Sequence, residues 1–510
     1  MKTIKFLTLI TVLFGFTLSC SDEFTDNPPE DQLTVDNFFT TDDQIFSSGS
    51  ALYGFPWFYF AGEKAMISIG DLYSGLAVGS YQDLQQFEQF SVTSNNQFLS
   101  EGWNSLYNVV AASNSLLFNL DTKVSSGVST DLVNNVKGEA YFMRAVAYFY
   151  LVRGWGDVPI IHSMDQYNSS SIVFKNPVAD VYRFIIQDLT TANQLLPSQW
   201  SSAEGRVIKS TTDAFLAKVY LTMGDYANAK LYAEKVMNSG DYSLLDNYGD
   251  LFRPQNNNNS ESIFALQWIG CSDWGYGSTI QAYVAANSRL TGFGDGWGTF
   301  QPSIHLINSY EDNDLRRQET IMEPGAFYPE LVTSEGGYRV PEDGLTSTIA
   351  GFRKYVVGPP GDTEVETCFM RTGLNTYILR YADILLIHAE SILAGNASTS
   401  DGAALASFNA VRERAGLDPK TEITFSDIFQ ERKVELALES DHWFDLARID
   451  RAEAKSIIED QERGTYANRN VDELNSQKVT ASDADFLLPI PESELLSNPN
   501  MSGDPVPFEF

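Results

Sequence analysis

Five hundred and ten residues allow about three domains at the usual size of roughly 150 residues each, or one large fold with long insertions. A hydrophobic share of 43% beside 20% charged residues is globular composition, which excludes wholesale disorder, a collagen-like fibre and a multi-span membrane protein. With 34 Lys and Arg against 67 Asp and Glu the formal net charge is −33, a balance that repels phosphate backbones and anionic membranes but not neutral ligands such as uncharged sugars. Nucleic acid is therefore not an expected partner.

The chain opens with Lys2 and Lys5 and an apolar run from Phe6 to Leu18, too short to span a bilayer, which reads as a signal peptide over residues 1–19. Small Ser19 precedes Cys20, an arrangement that resembles the lipobox of bacterial lipoproteins, in the relaxed form used by Bacteroidetes. Cys20 is the expected lipidation site. Ser21-Asp22-Glu23 resembles the surface-export signal of such lipoproteins, and residues 20–36, with Pro28-Pro29, read as a lipidated N-terminus and tether. The expected location is the outer membrane, lipid-anchored and facing outward.

Residues 37–510 are expected to form one body. A helical pattern runs through Val136, Ala140, Met143, Ala147 and Tyr150 and stops at Gly154, Gly156 and Pro159. Val181 to Leu196 repeats the logic with Pro197 as terminator, and Thr211 to Met223 follows, broken by Gly224-Asp225 before another helix to about Asn238. Glycine suits the left-handed end of one helix and aspartate caps the next. The spacing of Gly224, Tyr226 and Ala229 matches the turn of a tetratricopeptide-type hairpin, and a further pair is expected at Tyr377 to Ala394 and Asp401 to Ala415. The fold class is thus mainly α, a tetratricopeptide-like scaffold of helical hairpins, with a plain helical bundle as the alternative. Between residues 241 and 376 glycine and asparagine crowd in, as at Asn256 to Asn259 and Gly292 to Gly298, and long amphipathic runs are scarce. Trp268, Trp274, Tyr276, Tyr283, Trp297 and Tyr328 argue against disorder there, so this excursion reads as a binding surface carried on the helices.

Familiar catalytic chemistry is missing. The four histidines, at 162, 305, 388 and 442, have no ligand-spaced partners, and no nucleophile elbow, zinc helix, P-loop or EF-hand pattern occurs, so neither metal nor cofactor is expected. Cys271 and Cys368 form no C-x-x-C motif, and the sequence leaves open whether they pair. What remains is aromatic. A sugar ring offers an apolar face of C–H groups that a Trp or Tyr covers, while polar side chains bond the hydroxyls at its rim. Two groups qualify: Trp57, Tyr59, Asp71, Tyr81 and Gln82 near the N-terminus, and Trp274, Tyr276, Tyr283 and Trp297 in the excursion. The expected stacking rings are Trp57, Tyr59, Tyr81, Trp274, Tyr276 and Trp297, with Asp71 and Gln82 as hydrogen-bond partners.

Five segments carry a family resemblance in order: Met143 to Ile160, ending in Trp155, Gly156-Asp157 and Val158-Pro159; Leu379 to Glu390; Phe408 to Leu417; Glu431 to Arg448; and Leu488 to Asn500. Together they resemble the SusD/RagB family of surface nutrient-binding lipoproteins of Bacteroidetes. Ser440 stands where that family usually has Gly, and Asp314-Leu315-Arg316 lacks the proline of a family Asp-Pro-Arg. Tyr381, Glu390, Arg412, Arg414, Glu431, Arg432 and Glu435 are expected to tie helices together rather than to bind ligand. The resemblance implies capture of an oligosaccharide or polysaccharide, without covalent chemistry, and delivery to a SusC-type TonB-dependent transporter. A peptide-binding RagB-like protein, a surface glycoside hydrolase and a tetratricopeptide adaptor are the rival readings. Glycan identity and any role for calcium are not legible.

Overall fold

The computed structural model describes residues 38–164, 173–201, 204–345, 349–466 and 474–510. The expected signal peptide, Cys20 and the tether to residue 36 lie outside these. Among the described residues no helix is long and apolar enough to cross a membrane.

Helices dominate, and successive ones pack side by side. Gln97–Thr122 lies against Thr130–Trp155, which packs on Val178–Leu195; Lys209–Thr222 and Tyr226–Ser239 form the next hairpin, and Tyr381–Leu393 and Gly402–Arg414 continue the array. Local chemistry sets these boundaries. Asn96 caps the Phe98 and Leu99 amides, Ser129 caps Leu132, and Asp225 caps Asn228 just after Gly224, whose φ of +75° only glycine adopts without strain. The Gly224-Asp225 turn is the one expected. Gln97–Thr122, whose polar Ser and Asn residues dilute its apolar stripe, is a helix that the sequence pattern did not single out.

One expected helix begins late. Thr376–Arg380 is a strand, paired antiparallel with Ser262–Leu266, and the helix starts only at Tyr381. Tyr377, Ile378 and Leu379 are buried, and a run of aromatic and branched residues enclosed on both sides suits a strand. This pairing brings the two ends of the excursion together. Between them lie short strands, short helices and turns; Trp268, Tyr283 and Tyr328 are buried and give the segment its own share of the core. A second strand pair, Ala77–Gly79 with Phe300–Pro302, ties the excursion to the segment around residues 51–90.

Many charged residues of the family motifs pair in the interior. Arg316 bridges Asp314 (2.8 Å), Glu431 (2.6 Å) and Glu435 (3.1 Å), and Arg432 bridges Asp383 (2.5 Å), Asp445 (2.8 Å) and Asp441 (3.2 Å). Arg412 joins Glu311 to Glu431, Arg414 joins Glu261 to Glu435, and Arg448 joins Glu390 to Asp445. Clustered arginines hold the Glu435 and Asp445 carboxyls well below the usual range despite their burial. These groups fasten helices to one another, as expected.

The C-terminal stretch returns to the first half of the chain. The Leu488 amide donates to the Gly154 carbonyl (2.8 Å) and the Trp155 indole to the Pro489 carbonyl (3.0 Å). Farther on, Asn176 Nδ2 donates to the Val506 carbonyl (2.8 Å), the Val506 amide to the Lys175 carbonyl (2.8 Å), and the Phe508 amide to Asp180 (2.9 Å).

Candidate functional site

The sequence Phe55-Pro-Trp-Phe-Tyr-Phe60 folds into two short helical turns, Phe55–Trp57 and Phe58–Gly62. Rings four apart share a side of such turns, so Phe55 and Tyr59 face water while Trp57, Phe58 and Phe60 enter the core. Trp57 is 0% exposed and its indole N–H donates to the Leu52 carbonyl (2.9 Å). It is a core residue and presents no face to a ligand, which corrects the expectation for it. The excursion supplies the partners of the outward rings. Tyr276 stacks on Phe55 at 5.2 Å, and Trp274, 49% exposed, stands edge-on against Phe58 at 5.2 Å. Phe55, Tyr59, Trp274 and Tyr276 thus make one group of half-exposed rings on a buried aromatic floor.

A second group lies around Lys64. Its ammonium sits 4.0 Å over the Tyr283 ring and 5.2 Å over Phe98, and pairs with Glu63 at 3.1 Å. Burial pulls this lysine down, but Glu63 and Tyr283 outweigh it and hold it above its ordinary pKa. Trp297, 45% exposed, packs on Tyr283 at 5.5 Å, and half-exposed Phe369 stands edge-on to Trp297 at 6.2 Å. Exposed Tyr81 leans on Phe98 at 6.0 Å and is followed by exposed Gln82 at the start of the Gln82–Glu88 helix. Burial pushes the Tyr81 phenol up to about 12, so the ring stays neutral. The two groups share a frame: the turn that carries Tyr59 ends at Gly62, whose carbonyl accepts from Thr279 N (2.9 Å) and Oγ1 (2.7 Å) just ahead of Tyr283.

Asp71 belongs elsewhere. It is 1% exposed and accepts from the Leu438 amide and the Ser440 hydroxyl, both at 2.9 Å. This too corrects an expectation: the carboxylate has no path to a ligand's hydroxyls, and burial pushes it up to about 7. It pins a turn in which Leu438 and Ser440 both have positive φ, the conformation that explains a glycine preference at position 440. Gly70 lies against the same turn, where an added Cβ would come within 2.3 Å of Ser440 Cα.

Two rings that sequence reasoning missed, Phe55 and Phe369, complete the groups. Phe369 follows Cys368, which is disulfide-bonded to Cys271, three residues before Trp274. The question left open by the cysteine spacing is thus answered, with a bond that belongs to oxidising compartments. Among the described residues no group of three or more His, Cys, Asp or Glu stands ready to hold a metal ion.

Comparison with known proteins identifies the family and the fold. Residues 260–506 match the model of the SusD family, and residues 68–221 match a family described as starch-binding, associating with the outer membrane. Over 99% of its length the chain is 32% identical to a SusD-like protein of Bacteroides ovatus, covering 98% of that protein. The chain belongs to the SusD family. Among solved structures, one determined with xylogluco-oligosaccharide is 31% identical, with a TM-score of 0.83, covering 91% of this chain and 99% of that one. A laminarin-binding SusD-like protein is 25% identical, with a TM-score of 0.72, covering 90% of this chain and 98% of that one. The helix-rich SusD fold expected from the five sequence segments is therefore the fold of this chain.

Proposed function

We propose that this SusD-family chain captures a neutral oligosaccharide or polysaccharide at the cell surface by ring stacking, without covalent chemistry, and hands it to a SusC-type TonB-dependent transporter. The observation that carries this reading is the pair of half-exposed aromatic groups, Phe55, Tyr59, Trp274 and Tyr276 with Tyr81, Trp297 and Phe369. Rings of this kind cover the apolar faces of pyranose units, and exposed Gln82 and partly exposed Lys64 are polar groups placed beside them. Relatives described with xylogluco-oligosaccharide and laminarin support the ligand class, and the net charge of −33 favours a neutral glycan over an acidic one.

Affinity is expected to be modest, because open rings bury only one face of a sugar and each contributes on the order of 1 kcal/mol. Weak capture suits a protein that must release its cargo. Residues 1–19 act as the export signal in this reading, and Cys20 carries the lipid that holds the folded body to the outer membrane. Affinity electrophoresis through xyloglucan, laminarin and starch gels, beside calorimetric titration with mixed peptides, tests the assignment. Retardation by at least one of these glucans is the expected result; peptide binding with no retardation in any gel overturns it.

A further inference from the structure

Each aromatic group draws rings from chain segments far apart in sequence, and one short turn is tied to the loops of both. Residues 368–371 form a tight turn in which Cys368 and Arg371 exchange backbone bonds (3.1 and 2.9 Å). On one side the turn is held to the loop that carries Trp274 and Tyr276. The Cys271–Cys368 disulfide makes that link, Arg371 Nη1 donates to the Ser272 carbonyl (2.6 Å), and Ser278 and Thr372 exchange backbone bonds at 2.9 Å. On the other side it is held to the glycine-rich loop that carries Trp297, because the Met370 amide donates to Asp295 Oδ2 (2.8 Å) and Phe369 packs on Trp297. Cys271 and Met370, neither of them glycine, have φ of +55° and +56°, a conformation kept only where surrounding contacts over-determine it.

We infer that the Cys368–Arg371 turn is the positioning element of the glycan face, fixing the two ring groups in one register so that a single extended glycan chain engages both. The inference rests on the glycan reading above and adds to it a preference for ligand length. With the Cα atoms of the two cysteines 5.0 Å apart, the short chain arms on either side keep Trp274 and Phe369 within about 20 Å of each other. Two weak stacking sites held at a fixed separation bind a ligand that spans them far more tightly than either binds alone, and the gain vanishes when the separation wanders. A long main chain collects both contributions, whereas a fragment that covers one group collects one.

The test is a length series. Calorimetric titration of the mature chain with ladders of xylogluco-oligosaccharides and laminari-oligosaccharides is run on the native protein, on the Cys271→Ser/Cys368→Ser double variant and on Asp295→Ala. The last keeps the disulfide and cuts the other arm of the turn, and so decides the matter if the double variant does not fold. In the native protein affinity is expected to rise at least about tenfold from the shortest binding fragment to the longest. In each variant that rise shrinks below about threefold while the affinity for the shortest fragment is kept within about twofold. A native length dependence in folded variants overturns the inference and leaves the glycan reading standing. Equal losses for short and long fragments also overturn it, since they mark the turn as a general support. If the native protein binds neither ladder and is retarded by no glucan gel, the glycan reading falls and takes the inference with it.

Discussion

Two tryptophans that look alike in sequence are expected to behave oppositely when removed. Trp57 is fully enclosed, and its replacement by alanine costs about 3–5 kcal/mol for the cavity, with a further cost of about 1 kcal/mol for the Leu52 carbonyl left without its donor. That is a large part of the roughly 5–15 kcal/mol that holds a typical domain folded. Trp274 is half exposed and rests on Phe58. Half of a ring system of roughly 200 Å2, at about 25 cal/mol/Å2, gives an upper bound of about 2.5 kcal/mol, and burial already present in the unfolded chain lowers it to about 1.5–2.3 kcal/mol. Losing one stacking ring removes about 1–1.5 kcal/mol of ligand affinity, or roughly five- to twelvefold in Kd. Thermal denaturation and titration with a retained oligosaccharide, at a temperature where both variants are folded, read the two effects separately. Trp57→Ala should show the larger fall in Tm and a Kd within about twofold of native; Trp274→Ala should show the smaller fall in Tm and the weaker binding. Should Trp57→Ala weaken binding more than Trp274→Ala does, the division of these rings into core and ligand face is wrong.

Asp71 gives a pH-dependent prediction. Its carboxyl titrates near 7 in the folded protein and near 3.9 when unfolded, so the native state holds the proton across that window and this group's contribution to stability falls as pH rises through it. Asp71→Asn removes that dependence: between pH 4.5 and pH 8 the variant should gain on the native protein by roughly 2–4 kcal/mol in denaturant titration, with glycan retention unchanged. Arg316→Met leaves Asp314, Glu431 and Glu435 buried without their shared cation and should cost about 3–5 kcal/mol, seen as a lowered denaturation midpoint with normal ligand affinity in the remaining folded fraction. Cys20→Ser should abolish incorporation of radiolabelled palmitate and release the protein from the membrane fraction; labelling that persists places the anchor elsewhere.

The helical array was legible because glycine, proline and capping residues punctuate it: Gly156 and Pro159 close one helix, and Gly224-Asp225 separates two more. The strand Thr376–Arg380 was not, since a short, wholly buried apolar run has no period of its own and is decided by its partner, Ser262–Leu266. The ring assignments divided along the same line. Trp274 and Trp297, flanked by glycine, aspartate and serine, have few apolar neighbours in sequence and are half exposed. Within Phe55-Pro-Trp-Phe-Tyr-Phe60 every neighbour is apolar, so composition could not tell Phe55 and Tyr59 from Trp57; only the phase of two irregular turns does so. Asp71 was misplaced because its donors, Leu438 and Ser440, lie more than 360 residues away. Phe369 went unnoticed because its place depends on the partner of Cys368.

The strap formed by the C-terminal residues constrains how the protein is made. A ribosome delivers Gly154, Trp155 and Lys175 hundreds of residues before Leu488, Pro489 and Val506, the groups that satisfy them. Until those residues are in place, the Gly154 and Lys175 carbonyls and the Trp155 indole lack these partners. A chain cut before Leu488 lacks the latch, and its loosened junction gives proteases a point of entry.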